Sequence, residues 1–97
     1  MDRLECDRIF VAVVETRSFT QAARQHGISP GQASKMVSRL EERLGVQLLA
    51  RTTRAVAPSD AGRVYYERIR ELIDEVEALD GSLRAAEGAA AGRLRLT

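Results

Sequence analysis

Tryptophan is absent from this chain of 97 residues, and Phe and Tyr contribute only two residues each. A core must therefore be assembled from Leu, Val, Ile and Ala, and at this length it can serve one domain, not two side by side. Cysteine occurs once, at Cys6, which excludes an internal disulfide and suits a reducing cytoplasm. It lies one helical turn before Phe10, the position of a packing residue rather than a reactive thiol. A single His, His26, beside that single Cys leaves no cluster with metal-ligand spacing. There is no nucleophile motif and no glycine-rich phosphate loop after a strand. No catalytic residue, metal or cofactor is expected, and the chain is not read as an enzyme. Long apolar runs are missing too. The longest, Ile9 to Val14, falls far short of the roughly 20 residues of a membrane span. No basic-then-apolar leader marks the chain for export, so no membrane contact and a cytoplasmic setting are expected.

What is present is a globular balance of 44% apolar and 30% charged residues, too apolar for a disordered chain. The net charge of +1 hides a strong segregation. Residues 1–16 carry a balance of −2, residues 17–63 carry +5, and residues 64–97 carry −2. The positive field belongs to Arg17, Arg24, Lys35, Arg39, Arg43, Arg51, Arg54 and Arg63, which points to a polyanion engaged by the middle of the chain.

Leu4, Phe10, Val13 and Val14 follow helical spacing, so a first amphipathic helix is predicted to about Glu15. Thr16-Arg17-Ser18 breaks it. Ser18 with Gln21 forms a capping box at the start of a short second helix, whose Phe19, Ala22 and Ala23 turn inward. Gly27 supplies the left-handed stop. Ser29 as N-cap, Pro30 at the first helical position and Gln32 in a second capping box open a third helix. Its apolar stripe is Ala33, Val37, Leu40 and Leu44, it ends at Gly45, and its outer face presents Gly31, Gln32, Lys35, Met36, Ser38 and Arg39. Two short helices joined by a glycine turn describe a helix-turn-helix, because the major groove admits one α-helix whose first turns reach base edges.

Beyond Gly45 the pattern changes. Val46, Leu48 and Leu49 alternate loosely, Arg51-Thr52-Thr53-Arg54 makes a polar turn, and Ala55-Val56-Ala57 resumes before Pro58. That is a two-stranded wing with a basic tip suited to phosphate oxygens. Ser59 caps a fourth helix with Asp60 near its positive end. Tyr65, Ile69, Leu72, Val76, Leu79, Leu83 and Ala86 then recur at alternating spacings of four and three, a heptad seam about three repeats long. A helix of that length outruns the domain it belongs to, so its stripe needs a partner, and a second copy of the chain is the simplest one. Gly81 within the seam is a candidate bend. The run 88–92 suggests a hinge, and Arg93 to Thr97 alternates like the opening of a strand, as if another domain followed.

The runs Phe10-Val11-Ala12-Val13-Val14-Glu15 and Ser18-Phe19-Thr20-Gln21-Ala22-Ala23 resemble the start of LysR-type transcriptional regulators. So do Ile28-Ser29, Ala33-Ser34-Lys35, Arg39-Leu40-Glu41-Glu42-Arg43-Leu44-Gly45 and Leu48-Leu49-Ala50-Arg51-Thr52, with Ala61-Gly62 before a long helix. The resemblance implies a mainly α fold: a winged helix-turn-helix of three helices and a two-stranded wing, then a dimerising linker helix. It also implies a C-terminal effector-binding domain outside this chain, through which alone a small molecule would act. A full-length tetramer on a promoter dyad is further implied. One departure stands out. That family usually places Gln, then Pro or Ser, after the capping Ser or Thr, whereas here Pro30 and Gly31 take those positions and Gln32 stands where Ala is common. Either Gln32 assumes some base readout, or specificity shifts to Lys35 and DNA shape.

The expected organisation is a DNA-binding domain over 1–58, a dimerisation helix over 59–87, and a hinge with the start of a further domain over 88–97. Pro30, Gly31, Gln32, Ser34, Lys35 and Met36 are expected nearest the bases of double-stranded DNA. Ser18, Thr20, Arg39, Arg51, Thr52 and Arg54 are expected on phosphates. Tyr65, Ile69, Leu72, Val76, Leu79 and Leu83 are expected in a homodimer interface. A coiled-coil adaptor with the helix pair as mere support is the rival reading, against which the segregated +5 segment argues. A winged-helix regulator of another family is the nearest alternative in fold.

Overall fold

Local capping chemistry sets most of the element boundaries. The computed structural model describes residues 2–51 and 56–96, with side-chain surroundings over 2–50 and 56–88. Its elements run α1 (Arg3–Thr16), α2 (Phe19–His26), α3 (Pro30–Leu44), β1 (Leu49–Arg51), β2 (Val56–Pro58) and α4 (Asp60–Leu96). The expected order of three helices, two-stranded wing and long helix is present.

Helix α1 stops where the Thr16 hydroxyl turns back onto the Ala12 carbonyl at 2.7 Å and Arg17 takes a left-handed φ of 57°. Ser18 then caps α2, its Oγ accepting the Gln21 N–H at 3.1 Å. The reciprocal half of the expected capping box is filled differently: the Ser18 N–H donates to Thr16 Oγ1 at 3.3 Å, so Thr16, two residues earlier, serves instead of the Gln21 amide. Gly27 (φ 69°) and Gly45 (φ 71°) end α2 and α3 in the conformation glycine adopts without steric cost. Ser29 Oγ accepts the Gln32 N–H at 3.1 Å, with Pro30 at the first helical position.

The core is a single cluster. Phe10 and Val13 of α1, Ala22 and Ala23 of α2, Ala33, Val37 and Leu40 of α3, and Leu48 and Leu49 interlock in it, and Ile69 and Ile73 of α4 close it. Small residues on α2 let three helices approach closely around Phe10, which is fully buried. The strands pair antiparallel in the register Leu49 with Pro58, Ala50 with Ala57 and Arg51 with Val56.

The wing is tied at both ends. Glu41 Oε2 accepts the N–H groups of Leu48 at 2.8 Å and Leu49 at 3.2 Å. The Ser59 N–H donates to the Leu48 carbonyl at 2.9 Å, and Ser59 Oγ donates to the Gln47 carbonyl at 2.6 Å. Helix α4 begins against that carbonyl, with Gly62 so close that a Cβ would lie 1.9 Å from the Leu48 oxygen.

Two expectations are corrected here. First, α4 runs as helix through Gly81 and 88–92 to Leu96, so neither a hinge nor a strand opening describes the backbone over 88–96, and Thr97 lies outside the described residues. A lone strand has no ladder partner, while a helix satisfies its own peptide groups, and alanines at 89–91 favour it. Second, Tyr65 and Ile69 are not offered to a partner. Ile69 is buried in the core of its own chain, and Tyr65 packs on Phe10 with ring centroids 5.7 Å apart. The apolar stripe is shared: Tyr65, Ile69 and Ile73 serve the core, Val76 is half-buried, and Leu72, Leu79 and Leu83 remain exposed.

Two glycines in one helix should therefore respond oppositely to alanine. Gly62→Ala is expected to destabilise by about 1–3 kcal/mol through the backbone clash, despite alanine's better helix propensity. Gly81→Ala meets nothing within 4 Å and should stabilise by roughly 0.5–1 kcal/mol. Urea melts of both variants check this; equal signs would contradict it.

Candidate nucleic-acid interface

The two faces of α3 divide its residues between core and solvent. Ala33, Met36, Val37 and Leu40 point inward. Gly31, Gln32, Lys35, Arg39, Glu42 and Arg43 are exposed, and Ser34 and Ser38 are half-exposed. Met36 is a correction: at 5% exposure it is part of the core and cannot lie nearest the bases. It stands three residues after Ala33 and four before Leu40, so it shares their inward side of the helix. Pro30 is exposed on the first turn, and a Cβ at Gly31 would meet nothing within 4 Å. The Gln32 backbone N–H, not its side chain, makes the cap bond to Ser29, and its side chain is exposed.

Of the residues expected on phosphates, Thr20 lies exposed on the first turn of α2 and Ser18 is half-exposed with its oxygen in the cap bond. Arg39 is exposed one turn beyond Lys35. Arg51 ends β1, and its side chain, Thr52 and Arg54 lie outside the described residues.

Tertiary packing adds two cations to this side. A cleft of about 630 Å³ between the start of α1 and α3 is lined by Arg3, Lys35, Arg39 and Arg43, with Glu42 the lone carboxylate and Cys6 and Leu40 among its walls. Arg43 continues the row of Lys35 and Arg39 by one more step of four, so its spacing was legible in the sequence. Arg3 belongs to another helix and carried no such signal. The Cys6 thiol is pushed above its ordinary value by burial, which keeps it protonated. Among the described residues, no group of three or more His, Cys, Asp or Glu is placed to hold a metal ion, and no helix is long and apolar enough to cross a membrane.

Behind this face, α4 joins α1 through a polar seam. Asp7, 3% exposed, is the one buried charged side chain among the described residues. The Tyr65 hydroxyl donates to Asp7 Oδ1 at 2.5 Å, and Arg3 Nε lies 3.8 Å from Asp7 Oδ2. On the solvent side Tyr66 donates to Glu15 at 2.8 Å, Arg70 pairs with the same carboxylate, and Arg8 meets Glu77 at 3.3 Å. Burial raises the Asp7 carboxyl, with the Tyr65 hydroxyl and the Arg3 charge opposing. Burial also raises the Tyr65 phenol. The neighbouring Tyr65 hydroxyl raises Arg3, so its guanidinium stays charged.

The raised Asp7 value fixes a sign. An acid whose folded-state pKa exceeds that of an unfolded Asp, about 3.9, contributes most stability below the unfolded value and loses it as pH rises through the folded one. Asp7→Asn keeps an acceptor for Tyr65 and removes the buried charge. It should melt higher than the parent chain at pH 7, with the gain shrinking toward pH 3.5. Thermal melts across that range test this, and a gain independent of pH would contradict it.

The family model for the bacterial regulatory helix-turn-helix protein, lysR family, matches residues 7–63. An uncharacterised HTH-type transcriptional regulator of Haemophilus influenzae is 42% identical over 97 residues, covering 100% of this chain and 34% of that protein. The HTH-type transcriptional activator AaeR of Escherichia coli K12 is 42% identical over 96 residues, covering 99% of this chain and 31% of that protein. The chain thus spans about a third of the length of the curated relatives it matches. Among solved structures, the BenM DBD in complex with catB site 1 DNA superposes with a TM-score of 0.82 at 36% identity, covering 88% of this chain and 93% of that one.

Proposed function

Since the chain belongs to the lysR family of bacterial regulatory helix-turn-helix proteins, we propose that it is the DNA-reading part of a cytoplasmic transcriptional regulator. It binds double-stranded DNA sequence-specifically at a promoter dyad as a homodimer, within a tetramer at full length, and has no enzymatic role. The observation that carries this reading is the outward stripe of α3. Gln32, Lys35 and Arg39 stand exposed on its N-terminal half while the opposite side is consumed by the core. The solved BenM DBD complex contains DNA, and its likeness to this chain over nearly the whole of both supports the same docking.

In this reading α3 enters the major groove, with Pro30, Gly31, Gln32, Ser34 and Lys35 nearest the bases. Lys35 donates to guanine O6 or N7, and the free Gln32 amide pairs with adenine. Ser18, Thr20, Arg39 and the wing residues Arg51, Thr52 and Arg54 take phosphates, which fix register without reading sequence. Residues 1–58 form the reader and α4 the dimerisation element, through Leu72, Val76, Leu79 and Leu83. Leu79 and Leu83, 57% and 60% exposed, are too apolar to remain bare on a free helix. A small-molecule effector acts through the further length that the relatives possess.

Fluorescence anisotropy on duplexes recovered from random-sequence selection, with scrambled controls at several salt concentrations, tests the reading. Tight, salt-dependent binding to a dyad with a large gap over the controls is expected. Lys35→Ala should lose roughly 10- to 100-fold on the selected duplex and far less on random DNA; equal losses would reduce Lys35 to a phosphate contact. Leu79→Asp combined with Leu83→Asp should halve the mass seen by light scattering at micromolar concentration, and an unchanged mass would remove the dimer from α4.

A further inference from the structure

The joint between α1 and α4 holds the least expected feature of the molecule: a carboxylate placed where the core would accept a hydrocarbon. Asp7 sits among Cys6, Ile9 and Phe10, is 3% exposed, and meets the hydroxyl of Tyr65 across 58 positions of sequence. Burying a charge costs folding energy, and in some proteins a buried polar or ionic group is retained for the geometry it specifies. The apolar contacts around it do not enforce one. Ser59 and Gly62 seat the first turn of α4 on the Leu48 carbonyl as a pivot. Beyond it the apolar contacts of Ile69, Ile73 and the Phe10–Tyr65 ring pair give the helix no hydrogen-bonded stop against tilting. The Tyr66–Glu15, Arg70–Glu15 and Arg8–Glu77 pairs lie in solvent, where such contacts hold side chains only weakly. An O–H···O bond of 2.5 Å to a carboxylate that is only 3% exposed is directional and partly screened from water.

Resting on the dimeric dyad reading above, we infer that Asp7 and Tyr65 are positioning residues for half-site spacing: their buried hydrogen bond sets the angle at which α4 leaves the DNA-reading body. Arg3 completes the set from the solvent side of Asp7.

The lever makes the angle matter. From Tyr65 to Leu83 the helix extends about 27 Å, so a tilt of about 7° at the joint moves the outer seam by about 3.4 Å, the rise of one base pair. In a two-fold dimer each protomer adds its own displacement. A joint free to tilt by this amount could not distinguish dyads that differ by one base pair in their spacer, whereas a pinned joint can.

The test uses a variant in which both partners become apolar, Asp7→Leu with Tyr65→Phe. This leaves no orphaned polar group, so the fold is expected to survive. Asp7→Asn, which keeps the acceptor, is the conservative control. Affinity is measured on the selected dyad and on versions with one base pair added to or removed from the spacer. A single half-site serves as reference. The parent chain and Asp7→Asn should lose about tenfold per base pair, while the double variant should lose under about threefold with half-site affinity unchanged. In parallel, spin labels at exposed Gln25 and Asp80, introduced as cysteines with Cys6→Ala and diluted into unlabelled chain, report the angle within one protomer. The parent and Asp7→Asn should give one narrow distance, and the double variant a broadened one. A narrow, unshifted distance in the double variant overturns the proposal whatever the DNA shows. A broadened distance with the spacing preference intact also overturns it, by separating angle from spacing. If the parent chain itself ignores spacer length, the dyad reading fails, and the assignment of Asp7 and Tyr65 to half-site spacing falls with it.

Discussion

Every group of Leu48 is used, and three elements meet through it. Its side chain is fully buried, its N–H is held by Glu41 of α3, and its carbonyl accepts the Ser59 N–H. That same carbonyl is the surface on which Gly62 lays the start of α4. The wing, the exposed-stripe helix and the long helix are thereby referred to one peptide. A shift of any of them would orphan a buried backbone group, and such groups are expensive to leave unpaired. This explains why a two-stranded wing of three residues a side holds a defined register although an isolated hairpin of that size is only marginally stable.

From that anchor the division of labour among the helices follows. Helix α1 packs against α2, α3 and α4, so its apolar residues are committed to the core. Helix α3 is covered on one side only, which leaves a full stripe from Gly31 to Arg43 in solvent and basic in character. Helix α4 is docked along its first turns and bare from residue 78 to 88, which suits it to carry a second copy at a distance from the reading face. The DNA-reading proposal needs all three conditions: a rigid back, an open basic front and an arm.

The polar joint at Asp7 belongs to the same logic. A reader that recognises two half-sites must control where its arm leaves the body, and apolar packing alone leaves that direction soft. The Asp7–Tyr65 hydrogen bond is the directional contact proposed to supply that control.

Local chemistry was decisive for much of what the sequence by itself determined. Ser18, Ser29, Pro30, Gly27 and Gly45 mark their boundaries because capping and left-handed turns depend on residues only a few positions apart. The inward stripe of Ala33, Val37 and Leu40 and the row Lys35, Arg39, Arg43 follow from a period of 3.6 alone. The lysR kinship was legible in the same runs. What only the tertiary structure decided is non-local. Met36 lies at the edge of its helix's apolar stripe, and whether an edge residue is buried depends on how far neighbouring elements reach around it. The heptad spacing of α4 states that a stripe exists, not who covers it, and the core claims Tyr65 and Ile69 together with Ile73, a residue outside the regular spacing. Glu41, Gly62 and Asp7 carry no local signal of their roles in the fold. Each gained its role from a partner 7 to 58 positions away, a contact that exists only once the chain has closed on itself.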